Sequence, residues 1–378
     1  MKTTSDPGHD VAVIGAGIVG LAIAYTAARR GLKVAVFERT PAASGASIRN
    51  FGLIWPVGQA PGPMLERALR AREVWQQLAK EAGVWIMPNG SLTLAQQPDE
   101  MAVLEEFRTT TPGAGYDCSI ISAEEAVALS PAVKRRNLRG ALYSRTELTV
   151  SPRQALPAIA AHLAEKWGVT FYWNTAITQV ESGRLSSFEH TWRAERIFVC
   201  SGADFEVLYP REFREAGLVK CKLQMLRTAA QPGGWQLGPS LCAGLTLRHY
   251  ANFEHCPSLQ AVSDRYDREN PDFKKWGIHV LLSQNHLGEL IIGDSHEYGT
   301  QVSPFDNEDI NQLILHYLHR FADVPDFEIA ETWHGVYPKL AGRTDFVLEP
   351  AAGITIVNGL GGAGMTLSFG LAQEILAG

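Results

Sequence analysis

The sequence predicts an α/β fold of two interleaved domains: one is built on a parallel sheet, the other is an α+β domain on a largely antiparallel sheet. Three observations predict it. Glycine-rich turns join a strand pattern to a helix pattern at both ends of the chain. Between them, from about residue 221 to residue 298, aromatic and β-branched runs alternate with Gly/Pro/Asn turns. No internal repeat or low-complexity linker separates the two kinds of pattern, so the domains interleave instead of following in series.

The first strand is expected at residues 11–14, a helix at 18–30 and a second strand at 33–37. Together they make a βαβ unit, in which parallel pairing and a right-handed crossover are the rule. Leu65, Ala68, Ala71, Trp75, Leu78 and Ala82 then recur at helical spacing. Ser151-Pro152 supplies an N-cap and a first-turn proline for a helix running to about Trp167, with Gly168 to stop it and a strand at 169–173. A short buried strand at 197–200 ends at Ser201-Gly202. Residues 307–321 read as a helix, and 354–357 as a last strand before a glycine turn and a terminal helix.

At 378 residues, 46% hydrophobic and 20% charged, the chain has length for two or three domains and a sizeable core. That composition excludes disordered, collagen-like and small disulfide-built classes. Lys+Arg 34 against Asp+Glu 40 gives a net charge of −6, so no basic surplus points to nucleic acid or an anionic membrane. The five cysteines form no Cys-x-x-Cys pair and cannot all pair internally, which fits a reducing compartment and argues against structural zinc. The opening MKTTSDPGHD lacks the apolar core of an export signal, so a cytoplasmic location is expected. The uncharged run at residues 11–28 is long enough to suggest a membrane helix, but its glycines, Tyr25 and Thr26 fit a buried strand and helix instead, and no membrane insertion is expected.

Those glycines carry chemistry. Gly15-Ala-Gly17-Ile18-Val19-Gly20 sits between the strand and the helix. Gly15 permits the tight turn, Gly17 lets a pyrophosphate approach the backbone, and Gly20 lets helix and strand pack closely. The helix N-terminus offers free N–H groups to the phosphates. Glu38, with Arg39 beside it, ends the second strand about 20 residues on, where a carboxylate accepts both ribose hydroxyls of an adenosine. Glycines also serve ordinary turns; here strand, helix and acidic residue fall in register, and a Rossmann-like dinucleotide site follows. The motif alone leaves NAD and FAD open. The second cluster, Gly361-Gly362-Ala-Gly364-Met365-Thr366, again joins strand to helix. As more than a plain turn, it would set a helix N-terminus where a flavin pyrimidine edge gains negative charge on reduction.

At this point the chain resembles the FAD-dependent amine and amino-acid oxidoreductases related to glycine oxidase, D-amino-acid oxidase and monomeric sarcosine oxidase. The resemblance spans nearly the whole chain, through the fingerprint, Ser44-Gly-Ala-Ser47 with Arg49-Asn50-Phe51-Gly52, Cys200-Ser-Gly202-Ala, Trp333-His-Gly-Val-Tyr-Pro338 and the closing 359–366 run. It implies an FAD-binding domain assembled from residues 1–84, 146–219 and 330–378, and a substrate domain from 85–145 and 220–329. It implies that Gly45, Ala46, Ser47, Arg49, Asn50, Phe51 and Gly52 wrap the flavin, and that Ile177 meets the adenine through its backbone. Ser201 and Gly202 would lie near the pyrophosphate or adenosine. Sarcosine oxidases link FAD to a cysteine in the region matching residues 333–350, and this chain has none there, so noncovalent FAD is expected.

The departures bear on substrate. Relatives acting on simple amino acids carry Gly-x-Arg-Pro, whose arginine clamps the substrate carboxylate; this chain reads Gly335-Val-Tyr337-Pro338. A phenol cannot make the bidentate, charge-assisted fork of a guanidinium. Other anchors for an anionic amine are Lys339, Arg343, Arg49, His249, Tyr250 and His279, each of which would otherwise be a solvated charge or a satisfied polar group. His316 and His319 share a helical face without carboxylates nearby, so no metal is expected. The 47–56 loop and the 333–338 segment resemble a bacterial branch associated with aminoalkylphosphonate catabolism, and a tetrahedral dianion suits several Lys/Arg/His/Tyr donors.

The expected chemistry is hydride transfer from the carbon beside a neutral amine to flavin N5, then hydrolysis of the imine, with oxygen or another acceptor reoxidising the flavin. The cofactor carries the redox step, so no obligatory general base is assigned. The leading substrate is 2-aminoethylphosphonate or its N-methyl derivative; the alternative is glycine, sarcosine or a D-amino acid. Two rivals come from other classes: a tRNA-modifying flavoenzyme, disfavoured by the missing basic surplus, and a non-catalytic flavin sensor. A monomer or small homo-oligomer is expected.

Overall fold

The uncharged run at residues 11–28 folds into a strand (His9–Ile14) and a helix (Ile18–Ala28). The computed structural model describes residues 8–111 and 113–377; the polar residues 1–7, which bear most of the argument against an export signal, lie outside the described residues. The strand is buried on both faces. Val11 and Val13 point into one apolar core with the helix, and Ala12 and Ile14 into another with Phe37 and Ile197. A parallel strand covered on both sides has no polar face to alternate, which is why the segment reads as continuously apolar. The helix is enclosed as well, packed against Pro152–Trp167 and Gly364–Ala377. No helix among the described residues is long and apolar enough to cross a membrane.

His9–Ile14 pairs in parallel with Val34–Phe37 on one side and Thr191–Val199 on the other. Thr170–Tyr172 and Ile354–Asn358 extend the parallel set at its two ends. The strand expected at 197–200 is longer because Thr191–Glu195 alternates exposed and buried residues, a half-exposed strand pattern that leads into the fully buried end. The helix Pro63–Ala82 buries Leu65, Ala68, Ala71, Trp75 and Leu78 as the spacing predicts. Pro152–Trp167 also starts and stops as expected, with Gly168 left-handed at φ 65°. Ser151 does not cap it with its side chain, however: its hydroxyl pairs with His286 Nδ1 at 2.9 Å, and its carbonyl accepts the Gln154 and Ala155 N–H groups.

A second sheet carries the other half of the cavity described below. Its edge strand Ile329–Lys339 runs antiparallel to Val219–Ala230, setting Tyr337 opposite Cys221 and Lys339 opposite Val219. Val219–Ala230 in turn pairs with Glu289–Gly293, then Leu281–Gln284 and Ser240–Ala243. The expectation of strands throughout 221–298 needs correction. The helices Leu259–Glu269 and Pro271–Lys275 interrupt it, with Val262 and Tyr266 on the buried side. Ser240–Ala243 also pairs in parallel with Ser91–Ala95, against the antiparallel trend.

Candidate functional site

A cavity of about 1280 Å³ runs from the glycine turn of the first strand to a group of histidines beside the second sheet. Its volume exceeds the roughly 300–1,000 Å³ usual for one small ligand, which suits a dinucleotide with a small molecule beside it.

At the first end the backbone is fixed by contacts that only glycine allows. Gly15 has φ +104°, and a Cβ there would lie 2.4 Å from the Cys200 carbonyl oxygen. A Cβ on Gly20 would lie 1.9 Å from the Gly15 oxygen, so Gly20 sits behind the cavity wall and shapes it. Gly17 differs: it lines the cavity, and a Cβ there would meet only Ser47 Oγ, at 3.1 Å. Ser47 Oγ accepts the Ile18 N–H at 3.0 Å, tying the Ala46–Ile48 turn to the start of the helix. Ile18 and Val19 line the same end. This open cradle at Gly17, beside a helix N-terminus, fits the pyrophosphate of FAD.

Glu38 closes the end of the second strand. Its Oε2 accepts the Ala16 N–H at 2.9 Å, and its Oε1 accepts the Thr40 N–H at 3.1 Å and hydroxyl at 2.7 Å. Two carboxylate oxygens offer about four acceptor positions, so capacity remains for a ribose hydroxyl. Glu38→Ala should weaken FAD binding by about 10- to 100-fold, since charge-assisted hydrogen bonds are worth roughly 1.5–3 kcal/mol. Fluorescence titration of apoprotein with FAD checks this; unchanged affinity in a folded variant contradicts it. Arg39 lines the cavity beside Glu38 and pairs with Asp204 at 2.5 Å.

The middle of the cavity is walled by Gly45, Ala46, Ser47, Asn50, Phe51 and, across from them, Ile177, Ser201 and Gly202. Asn50 braces its own loop: its Nδ2 donates to the Ala46 and Ser47 carbonyls and its Oδ1 accepts the Gly52 N–H. Gly52, expected among the flavin contacts, is absent from the wall. It has φ +72°, and a Cβ would lie 2.0 Å from the Val150 oxygen, so it serves the loop's close passage past the strand Leu148–Val150. The second glycine cluster supplies Gly361, Gly362, Gly364, Met365 and Thr366, with Thr366 Oγ1 accepting the Trp55 N–H at 2.9 Å.

At the far end the fold gathers most of the expected substrate anchors. Tyr337 is 7% exposed, and its hydroxyl lies 3.5 Å from where a Gly362 Cβ would stand. Lys339 lines the cavity without a carboxylate partner among the described residues, and its backbone bridges Leu360. Arg49 also lines it, its guanidinium donating, among the described residues, to the His334 carbonyl at 3.2 Å alone. His249, Tyr250 and His279 face the same space. Arg343 does not join them: past the left-handed Gly342 its side chain is 60% exposed and lies 4.0 Å from Asp345.

Two polar residues at this end, Asp294 and His296, were not singled out from the sequence. They follow the buried strand Glu289–Gly293 in a turn, and the backbones of His279 and Asp294 hydrogen-bond to each other. An Asp-Ser-His triplet closing an apolar strand is the local signal that could have found them. Burial holds His279 well below the usual imidazole range, with His296 and Arg248 opposing its charge further, and holds His296 down at about 4; His249, whose surface is open to the cavity, is pushed the same way by the enclosing walls and by His279, His296 and Lys339. Burial likewise pushes the Asp294 carboxyl well up. His296 donates from Nδ1 to the Gly277 carbonyl at 2.9 Å, which fixes its neutral tautomer.

A histidine kept neutral in the fold but free to protonate when unfolded contributes stability above about pH 6.5, and that contribution is lost as pH falls towards about 4. At about 1.4 kcal/mol per pH unit, the ligand-free native protein should lose up to roughly 3 kcal/mol more than His296→Asn over that interval. Urea unfolding at several pH values checks the slope; parallel curves for the two proteins contradict it. The described residues contain no group of three or more His, Cys, Asp or Glu side chains arranged to hold a metal ion.

The comparisons with known proteins agree with this geometry. The family model for FAD dependent oxidoreductases, DAO, matches residues 10–377. Glycine oxidase from Geobacillus kaustophilus (strain HTA426) is 25% identical over 347 residues, covering 88% of this chain and 81% of that protein. The crystal structure of glycine oxidase from Geobacillus kaustophilus has a TM-score of 0.75 at 22% identity, covering 98% of this chain and 93% of that one. L-proline dehydrogenase from P. horikoshii has a TM-score of 0.78 at 20% identity, covering 97% and 91%. The structural likenesses establish the fold, and the family match over nearly the whole chain establishes more: the chain belongs to the DAO family and is an FAD-dependent oxidoreductase.

Proposed function

We propose that the enzyme oxidises the C–N bond of a small amine bearing a tetrahedral, doubly charged anion, with 2-aminoethylphosphonate or its N-methyl derivative as the leading substrate. The observation that carries this reading is the anchor set: among the described residues Arg49 and Lys339 line one cavity without carboxylate partners, and a phenol, Tyr337, lines it with them. A planar carboxylate is best held by one rigid guanidinium fork, whereas three oxygens spread over a tetrahedron suit several single-point donors. The names of the glycine oxidase relatives support the amine part of the proposal.

FAD, when bound, would supply the redox chemistry by accepting hydride from the carbon beside the neutral amine; the iminium left behind is hydrolysed by water to a carbonyl product, the free amine and a proton. The chain's own residues hold and orient. Glu38 and the Gly17 cradle hold the adenosine diphosphate half, and the loop braced by Asn50 closes over the middle of the cavity. Arg49, Lys339 and the histidines then fix the anion, which aligns the carbon that reacts.

A second reading has one observation in its favour. Among the described residues the Arg49 guanidinium has only a carbonyl to donate to, which leaves it able to fork an α-carboxylate, as a glycine, sarcosine or D-amino-acid oxidase needs. Anaerobic bleaching of the holoenzyme separates the two. Either phosphonate amine should bleach the flavin at concentrations where glycine, sarcosine and D-alanine do not. Bleaching by the carboxylates alone establishes the second reading, and no bleaching by any of them overturns both.

A further inference from the structure

We propose, resting on the phosphonate reading above, that His249, His279 and His296 form a subsite that takes up a proton when the substrate's anionic group enters, so that the enzyme reads double negative charge and not tetrahedral shape alone. The three rings are close together, with centroids 3.9 Å apart for His249 and His279 and 4.8 Å apart for His249 and His296. Asp294 Oδ1 lies 3.8 Å from His279 Nδ1 and 3.9 Å from His296 Nδ1, beyond hydrogen-bond reach of both. Neither ring nitrogen of His279 nor Asp294 Oδ1 has a hydrogen-bond partner among the described residues, although these side chains are only 4% and 6% exposed. Buried polar atoms without partners are rare and costly. Three together on a cavity wall point to a ligand that completes them.

The surroundings choose its charge. Lys339 faces the group from the strand Ile329–Lys339, and Arg248, paired with Asp267 at 2.7 Å, stands behind it at the end of the turn Gly244–Arg248. Tyr250, Tyr337 and Cys221 complete the shell, and desolvation keeps all three in their neutral forms; the half-exposed Tyr298 stacks on His296. Asp294 is the carboxyl within reach, and burial favours its protonated form. The ligand-free subsite is therefore near neutral with cations around it, which offers nothing to an ammonium and much to an anion.

Lys339 is the fixed cation that acts on the His249 and His296 rings, while Arg49 is turned to the His334 carbonyl, so beside these rings a monoanion is offset by Lys339. A dianion leaves a further charge, and the nearest groups able to become positive are the imidazoles. The enclosing walls and the neighbouring Lys339 and Arg248 suppress their protonation until an adjacent anion favours it. Linkage then fixes the sign: if binding takes up one proton, affinity falls close to tenfold for each unit of rising pH.

The test is calorimetry on the FAD-loaded enzyme in two buffers of different ionisation heat, at about pH 8.5, where most of an alkylphosphonate is the dianion. The probes are methylphosphonate, methanesulfonate (the same shape with one charge) and acetate. Methylphosphonate should bind with uptake of about one proton, and methanesulfonate about tenfold more weakly with none. His279→Asn keeps hydrogen bonding but cannot become a cation, and His249→Asn repeats the change at the ring most open to the cavity; uptake should fall by about half or more in each. Binding of methylphosphonate without uptake overturns the inference, as does uptake unchanged in both variants or no binding at all. Bleaching by a phosphonate amine alongside uptake-free methylphosphonate binding leaves the proposed function standing and removes only this subsite. No bleaching by phosphonate amines removes both.

Discussion

Gly20→Ala should yield little folded protein, whereas Gly17→Ala should fold normally and lose its FAD. The two glycines are three residues apart in one motif, and their surroundings differ. A methyl on Gly20 would stand 1.9 Å from the Gly15 oxygen and 3.1 Å from Val13 Cγ1. Gly15 cannot retreat, because its own backbone, at φ +104°, already runs against the Cys200 carbonyl. Overpacking a rigid core costs about 1–3 kcal/mol even where side chains can adjust, and here the obstacle is backbone. Gly17 has φ −71° and ψ 176°, extended geometry that alanine adopts freely, and its one close neighbour is a hydroxyl that can rotate. The methyl would instead occupy the approach of the pyrophosphate, so FAD affinity should drop by about 100-fold or more, a loss of roughly 2.7 kcal/mol. Thermal unfolding of the apoproteins and fluorescence titration with FAD measure the two effects separately. Tight FAD binding by Gly17→Ala contradicts the assignment of the cradle.

Tyr337→Arg should move substrate preference towards glycine or sarcosine by about two orders of magnitude in kcat/KM. The native phenol is nearly buried against the Gly361–Ala363 turn, with Lys339 on the same strand. A guanidinium there adds the planar fork that an α-carboxylate wants, worth roughly 1.5–3 kcal/mol as a charge-assisted contact. It also crowds Lys339 with a second cation, which a larger tetrahedral group must then displace. FAD content serves as the control for folding. An unchanged preference between carboxylate and phosphonate amines contradicts a role for position 337 in choosing the anion.

How far the sequence alone reveals these features depends on how local they are. The fingerprint is legible because each glycine answers a constraint from its immediate neighbours, and the apolar strand beside it is legible because both its faces are covered. The helix Leu259–Glu269 is not, since it presents only Val262 and Tyr266 to the interior and lies between turn-rich segments. Arg343 is four residues from Lys339, yet the strand ends between them and the chain turns outward at Gly342. Asp294 and His296 show the converse. Apart from the Asp-Ser-His triplet itself, the local sequence does not mark a site; the pairing of Glu289–Gly293 with its neighbours carries the following segment to the His249 and His279 rings. Side chains assembled by strand register across distant segments leave little local trace.

The central claim, that this oxidoreductase selects an amine by its doubly charged tetrahedral anion, is tested most directly by kcat/KM for a matched pair, N-methyl-2-aminoethylphosphonate and sarcosine, on the native holoenzyme. The two share the secondary methylamine that is oxidised and differ chiefly in the anion and its distance from nitrogen. A preference for the phosphonate of about 100-fold or more, or roughly 2.7 kcal/mol of transition-state stabilisation, is the predicted result. Equal or faster turnover of sarcosine would contradict it.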